Sequence, residues 1–112
     1  MTGDVFLRWA TAEGDEVAPG VQAIVKLGDK VEVGKITLAP GTHLREHAHP
    51  EEQFFYLLSG HLRYRIGDVE DVAGPGDLIH MPCGVPHVGD VVGDIPAVFI
   101  EIKDRLVQVV SR

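Results

Sequence analysis

The sequence predicts an all-β fold, because strand-length apolar runs alternate with turn residues and only one short stretch has a helical pattern. Thirteen glycines and seven prolines are spread along 112 residues at strand spacing, which is typical of a sandwich or a closed barrel. With no linker, low-complexity tract or internal repeat, residues 1–112 are expected to form a single domain. The predicted strands are Val21–Leu27, Val31–Leu38, Gln53–Leu58, Leu62–Ile66, Asp77–Met81, Val88–Val92, Ala97–Ile102 and Leu106–Val110.

The N-terminal part of the chain leads into the first two of these strands. A single helical turn near Arg8–Glu13 is the only helical element that we expect. Gly28-Asp29 marks the turn between the first two strands, and Pro40-Gly41 marks the end of the second, because glycine, proline and aspartate favour turn conformations.

The central strands carry two different apolar patterns. Gln53–Leu58 is apolar on both faces, so one face needs cover from another sheet or from a partner subunit. We therefore expect a homodimer. In the next strand, alternation places Leu62, Tyr64 and Ile66 toward the core and two arginines on the opposite face.

The later strands place two ionisable side chains by the same alternation. Leu78 and His80 share one face, so His80 is expected either to reach the interior or to pack at its rim. After Pro96, alternate residues form the more apolar face of the strand, so Glu101 is expected to face solvent. Those alternate residues are Val98, Ile100 and Ile102.

Composition and charge exclude several classes of function. The 45% hydrophobic content is too high for a disordered chain. A net charge of −7 repels phosphate backbones and anionic lipids, so nucleic acid and membrane surfaces are not expected partners. No apolar run approaches the roughly 20 residues of a membrane span, and no signal peptide is evident. With Cys83 as the one cysteine, we expect a reducing, cytoplasmic location.

Three histidines and one glutamine have the spacing of a metal site. His47 and His49 lie two residues apart on an extended segment and therefore point to the same side. Gln53 follows a turn-like Pro-Glu-Glu insertion that can return it to the same centre, and His87 arrives from a different strand after the Pro82-Cys83-Gly84 turn. Neutral imidazole is the commonest metal ligand in proteins.

The two blocks that contain these residues resemble the two motifs of the cupin superfamily, G-x5-H-x-H-x3-E-x6-G and G-x5-P-x-G-x2-H. The first motif falls within residues 41–60 and the second within residues 76–87. One position departs from the pattern, since Gln53 stands where the family usually has glutamate. The matching residues are Gly41, His47, His49 and Gly60 in the first motif and Gly76, Pro82, Gly84 and His87 in the second.

The resemblance implies a single-domain jelly-roll β-barrel, commonly homodimeric, with an imidazole-rich site for Mn, Fe, Ni or Zn. The implied ligands are His47, His49, Gln53 and His87. Two alternatives stay open at this point. The histidines could simply be packed, and the Gln53 amide could hydrogen-bond a bound water instead of the metal.

The glutamine at the usual acidic position bears on the type of chemistry. Three imidazoles and an amide are all neutral, so a divalent ion would keep its full charge. That favours an anionic ligand and strengthens Lewis acidity, while it makes oxidation of the metal harder. The donor set therefore favours non-redox, acid–base chemistry.

Similar sites with three histidines and a glutamine occur in small cupins that convert unsaturated uronates to linear keto sugars, and in manganese-dependent cupin hydroxynitrile lyases. The uronate-converting cupins carry an acid, an aromatic residue and an arginine on the last strands. Glu101 matches the acid, but Lys103 stands where the aromatic residue belongs, and no correctly spaced arginine follows. The resemblance thus supports the metal site more strongly than this particular activity.

The candidate catalytic residues are His80 as a general base, Tyr64 as a hydrogen-bond donor to substrate, and Glu101 as an acid–base group. His43 is not expected to take part, and Cys83 is expected to be a turn residue rather than a nucleophile. Three functions remain open: a metal-dependent isomerase or lyase acting on a small oxygenated or carboxylated, possibly anionic molecule; a metal-dependent dioxygenase; and a non-catalytic small-ligand-binding protein.

Overall fold

The computed structural model describes residues 5–106, and this part of the chain consists of strands and turns without a helix. The all-β prediction is therefore confirmed. No helix in this range is long and apolar enough to cross a membrane. The strands are β1 (Asp15–Ala18), β2 (Val21–Leu27), β3 (Val31–Leu38), β4 (His43–His47), β5 (Gln53–Ser59), β6 (His61–Ile66), β7 (Val69–Ala73), β8 (Leu78–Met81), β9 (His87–Val92) and β10 (Ala97–Asp104).

The strands form two antiparallel sheets. The six-stranded sheet has the order β1-β2-β3-β10-β5-β8, and the four-stranded sheet has the order β4-β9-β6-β7. Along the chain, β4 leaves the first sheet for the second, β5 returns, and β6 crosses again. This alternation brings residues from distant parts of the sequence into one interior.

The core lies between the two sheets and contains side chains from both. Leu57 and Phe99 from the six-stranded sheet and Leu62 from the four-stranded sheet are almost fully buried. The parity predicted for Leu62, Tyr64 and Ile66 is confirmed, since Leu62 and Tyr64 are buried and Ile66 packs against the core. Burial of such side chains is the main source of stability in a domain of this size.

One face assignment is wrong. On β10 the buried residues are Ala97 and Phe99, so Glu101 shares the inward face with them. Ile102 instead lies on the outer face and is exposed. The outer face of this strand is apolar as well, so counting apolar residues selected the wrong side.

Three strands were not predicted, and all three are edge strands: β1, β4 and β7. Each is short and largely exposed, so its sequence lacks the apolar alternation that identifies central strands. The helical turn expected near Arg8–Glu13 is a hydrogen-bonded turn without a helix. The strand expected at Leu106–Val110 lies outside the described residues, apart from Leu106, which is not in a strand.

Candidate metal centre

Two paired strands and the loop after one of them bring three histidines together. His47 ends β4 and is the direct register partner of His87, the first residue of β9. A register shift lies between Leu44 and His47, and this irregularity allows His47 to face the interior while His43 faces outward. His49 follows two residues after β4, and its ring centroid lies 4.9 Å from that of His87.

Backbone carbonyls fix which nitrogen of each ring is free. The Nδ1 atoms lie 3.0 Å from the Arg45 oxygen for His47, 2.9 Å from the Glu51 oxygen for His49, and 3.1 Å from the Val85 oxygen for His87. A carbonyl oxygen can only accept a hydrogen bond, so each Nδ1 must carry the proton that is donated. In the neutral rings, all three Nε2 atoms therefore carry a free lone pair.

These lone pairs converge. The Nε2 atoms of His47 and His87 are 3.2 Å apart, and one ligand atom from each of the three rings lies within 4.8 Å of the others. Two neutral imidazoles that face each other through lone pairs repel unless a cation or proton lies between them. Burial lowers the pKa of His87, the hydrogen bond to the Val85 carbonyl acts in the opposite direction, and a positive charge on His47 or His49 lowers it further. The lowered pKa favours the neutral ring, which is the form that can coordinate a metal.

The spacing of the His47 and His87 nitrogens fits a transition-metal ion. Two donors that are each about 2.1 Å from a common ion lie roughly 3.0–3.4 Å apart, and the observed 3.2 Å falls within that range. No carboxylate belongs to the cluster among the described residues. The three histidines are therefore positioned to bind a metal, and imidazole donors alone do not decide its identity.

Gln53 is the nearest further oxygen donor. It begins β5, only 6% of it is exposed, and its Oε1 atom lies 3.2 Å from the Nε2 atom of His49. Since that nitrogen carries a lone pair, the contact joins two electron-rich atoms, as it would if both faced the same cation. Gln53 thus reaches the cluster that its spacing predicted, with its carbonyl oxygen toward the histidines.

Glu101 contacts the amide end of Gln53 that does not face His49. Its Oε1 atom accepts a hydrogen bond of 2.9 Å from the Gln53 amide nitrogen. Burial, together with the neighbouring carboxyl of Glu32, raises the pKa of Glu101 to about 7, although Lys103 and the hydrogen bond from Gln53 act in the opposite direction. Lys103 also lies 3.9 Å from Glu32. The wall of the site therefore holds a carboxyl group that can exchange a proton near neutral pH.

Tyr64 closes the interior behind the histidines. Its ring centroid is 5.9 Å from that of His87, and the ring packs against the backbone of Gly89, where an added Cβ would fall within 1.9 Å of the Tyr64 ring. Burial, and then the charge of Glu101, raise the pKa of Tyr64. The phenol therefore stays protonated and remains a hydrogen-bond donor.

His80 does not face the cluster. It shares a face with Leu78, as predicted, but this is the outer face of β8, because Ile79 and Met81 are the buried residues. Its ring stacks on Phe54 at 4.6 Å, and its Nε2 atom lies 2.6 Å from Glu52. Of the two positions expected for His80, the one in the interior is thus wrong, and His80 is not placed to act as a general base at the histidine cluster.

The remaining candidates lie on the surface. His43 pairs with Asp90 at 2.6 Å on the outer side of the four-stranded sheet. Cys83 is exposed in the turn before His87. The neighbouring Gly84 donates its backbone N–H to the His49 carbonyl, so this turn holds the loop that carries His49.

Glu32 was missed by the sequence analysis. It lies on β3 and pairs with Lys103 in the register, so both belong to the inward row that also contains Gln53. The alternation of β3 could have predicted its inward orientation, since Glu32 lies on the same face of the strand as Ile36 and the buried Leu38. An acidic residue on an inward face is a marker of a site.

The comparisons with known proteins agree with this fold. The model of the cupin domain family matches residues 34–103, and the chain belongs to this family. The predicted cupin fold is thereby confirmed. No curated protein sequence gives a significant match.

Solved structures resemble the fold at low sequence identity. An RmlC-like cupin from Shewanella frigidimarina has a TM-score of 0.81 at 19% identity, covering 91% of each chain. KdgF from Halomonas sp. has a TM-score of 0.77 at 20% identity, covering 93% of this chain and 96% of that one. A predicted oxalate decarboxylase from Thermotoga maritima has a TM-score of 0.80 at 16% identity, covering 91% of this chain and all of the other.

Proposed function

We propose that the protein is a metal-dependent enzyme that moves a proton on a small oxygenated or carboxylated molecule, in an isomerase- or lyase-type reaction. The observation that carries this proposal is the convergence of three imidazole lone pairs beside a carboxyl group. His47, His49 and His87 would hold the ion, with Gln53 as a fourth ligand. A divalent ion bound there supplies Lewis acidity toward a substrate oxygen.

Two residues of the chain supply the proton chemistry. Glu101 accepts a proton from a substrate carbon next to a carbonyl group and returns it elsewhere on the molecule, since a carboxyl with a pKa near neutrality does both. Tyr64 donates a hydrogen bond from its protonated phenol. Lys103, half-buried beside Glu32, is the cation of this wall and offers a partner for an anionic group of the substrate.

The geometry of the site is compatible with several metals and with more than one class of substrate. Mn, Fe, Ni and Zn all accept imidazole and oxygen donors. The neutral donor set supports Lewis-acid rather than redox chemistry. One structural relative is described as a predicted oxalate decarboxylase, which is consistent with a small carboxylated substrate. Unsaturated uronates are a second class of substrate to test, because small cupins with a similar donor set convert them to linear keto sugars.

The two sheets differ in the polarity of their outer faces. Strands β5, β8 and β10 have exposed apolar side chains on the outer face of the six-stranded sheet, namely Tyr56, Leu58, Leu78 and Ile102. The outer face of the four-stranded sheet instead carries polar pairs such as His43–Asp90 and Arg65–Glu46. We propose that the apolar face packs against a second copy in a homodimer. Sedimentation should give the mass of two chains, and Leu58→Glu should give that of one; a monomeric wild type would contradict this.

Deuterium exchange tests the reaction class. The protein, loaded in turn with Mn, Ni, Zn and Fe, is incubated in D₂O with unsaturated uronates and small keto and hydroxy acids. We expect deuterium to enter next to a carbonyl group, detected by proton NMR, without oxygen consumption. His49→Ala should abolish the exchange, whereas His80→Ala should retain it.

Two other outcomes would favour the alternatives. Oxygen consumption by the Fe-loaded protein with any of these compounds would support a dioxygenase. Saturable ligand binding that alters the spectrum of the bound metal, without exchange or turnover, would support a non-catalytic binding protein.

A further inference from the structure

We infer that Glu101 is a positioning residue that holds the Gln53 amide with its carbonyl oxygen toward the three histidines. The inference rests on the metal site proposed above and assigns to Glu101 a second role beyond proton transfer. It also explains why an amide occupies a position where the family usually has a carboxylate.

The contacts of Gln53 define its orientation at both ends. The amide nitrogen donates to Glu101 Oε1 at 2.9 Å, and the amide oxygen lies 3.2 Å from the His49 Nε2 atom. An amide has one donating and one accepting end, whereas a carboxylate only accepts. A reversed amide would face Glu101 with an oxygen and would turn its N–H groups toward the His49 lone pair. Glu101 therefore selects the orientation that presents an oxygen to the cluster.

The same contact makes a glutamate unfavourable at position 53. A carboxylate there would lie within hydrogen-bonding distance of the Glu101 carboxyl, which already neighbours that of Glu32. Like charges at this separation strongly disfavour ionisation of both groups. The carboxyl group that the family usually has among the metal ligands is thus replaced by Glu101 on β10. Glu101 does not contact the metal position itself and acts on the ligand Gln53 through a hydrogen bond.

Pairing of β10 with a strand on each side fixes the position of the Glu101 backbone. In the register, Glu101 lies between Phe55 of β5 and Gly34 of β3. Gly34 has no side chain, and a Cβ at that position would lie 3.5 Å from the second carboxyl oxygen of Glu101. That separation is an ordinary van der Waals distance, so the carboxyl group lies close over Gly34, and Glu32 neighbours it from the next inward position on the same strand.

A double-substitution cycle separates positioning from a general effect of the negative charge. The affinity of each variant for Co²⁺ and Zn²⁺ is measured by competition with a chromophoric chelator, and the Co²⁺ absorption spectrum is recorded. Glu101→Leu should lower affinity by about 10- to 100-fold, as is typical when a group that orients a ligand is lost. In a Gln53→Leu background, the same substitution should cause no further loss.

Conservative and control variants sharpen the test. Glu101→Gln keeps an oxygen that can accept the Gln53 N–H bond, so it should lose only a few-fold in affinity, and its Co²⁺ spectrum should resemble that of the wild type. Glu52→Gln changes a carboxylate that pairs with the outward-facing His80 and should leave affinity unchanged. If Glu101→Leu does not fold, the cycle is run with Glu101→Met, which also offers no oxygen to the Gln53 amide and has nearly the same length as glutamate.

The possible results distinguish this inference from the proposed function. Equal losses from the Glu101 substitution in both backgrounds, or no loss in either, would overturn the positioning role while leaving the metal site intact. A wild-type protein that binds neither ion would overturn the metal site and this inference together.

Discussion

The two ends of the interior are formed by the same strands, but one end is lined by apolar side chains and the other by polar ones. At one end, Leu57, Leu62 and Phe99 are at most 1% exposed and belong to the buried apolar cluster. At the other end, the same two sheets present His87 and Gln53, both buried and both polar. Along β5 and β10 the change takes four residues, from Leu57 to Gln53 and from Phe99 to Lys103. The apolar packing and the candidate metal ligands therefore lie at separate ends of the interior.

The largest expected effect is on stability at the apolar end. Phe99→Ala should lower the free energy of unfolding by about 3–5 kcal/mol, because it leaves a cavity in the packed core. Ile102→Ala on the outer face of the same strand is the control, since Ile102 is 38% exposed in the single chain. Measured in the monomeric Leu58→Glu background, where the proposed dimer contact is absent, it should cost about 1 kcal/mol or less. Urea denaturation of the metal-free proteins measures both. Similar losses would show that the two faces of β10 do not differ as described.

The next effect is on metal affinity at the polar end. His49→Ala should weaken metal binding by about 100-fold or more, or roughly 2.7 kcal/mol, because one of three converging donors is lost. The stability of the metal-free protein should change by less than about 1 kcal/mol. His80→Ala is the matched control, because His80 faces away from the cluster. Chelator competition measures affinity, and an equal effect of both substitutions would contradict the assignment.

The smallest effect is a pH dependence at the polar end in metal-free protein. The pKa of Glu101 is raised to about 7 from 4.5, so folding favours its protonated form. Its ionisation therefore destabilises the fold increasingly as pH rises from about 4.5 through 7. Glu101→Gln cannot ionise, so its stability relative to wild type should rise over this range, by about 1–2 kcal/mol after allowance for partial exposure. Denaturation at pH 5 and pH 8 tests this, and a constant difference would contradict it.

The apolar end and the motif residues were largely predictable from the sequence. Alternation placed Leu62 and Tyr64 correctly, because β6 has one apolar and one charged face. The spacing of His47, His49 and His87 indicated one cluster, and the structure brings these rings together.

The strands with two apolar faces were not predictable in the same way. On β10 the outer face is as apolar as the inner one, so alternation could not show that Glu101 points inward. On β8 the same ambiguity left open whether His80 reaches the interior, and the structure places it on the outer face. Resolving either face requires the neighbouring strands of the sheet, which only the fold supplies. Glu32 was detectable by parity with Leu38, but its role depends on a partner on another strand.

The most direct test of the metal site is the metal content of the folded chain. Wild-type protein and the triple variant His47→Ala/His49→Ala/His87→Ala are equilibrated with Zn²⁺ or Mn²⁺, passed over a desalting column and analysed by mass spectrometry of the metals. The geometry of the three imidazoles predicts close to one ion per wild-type chain and almost none in the variant, with both proteins folded by circular dichroism. Equal metal content in the two proteins would contradict the assignment of these histidines as the metal centre.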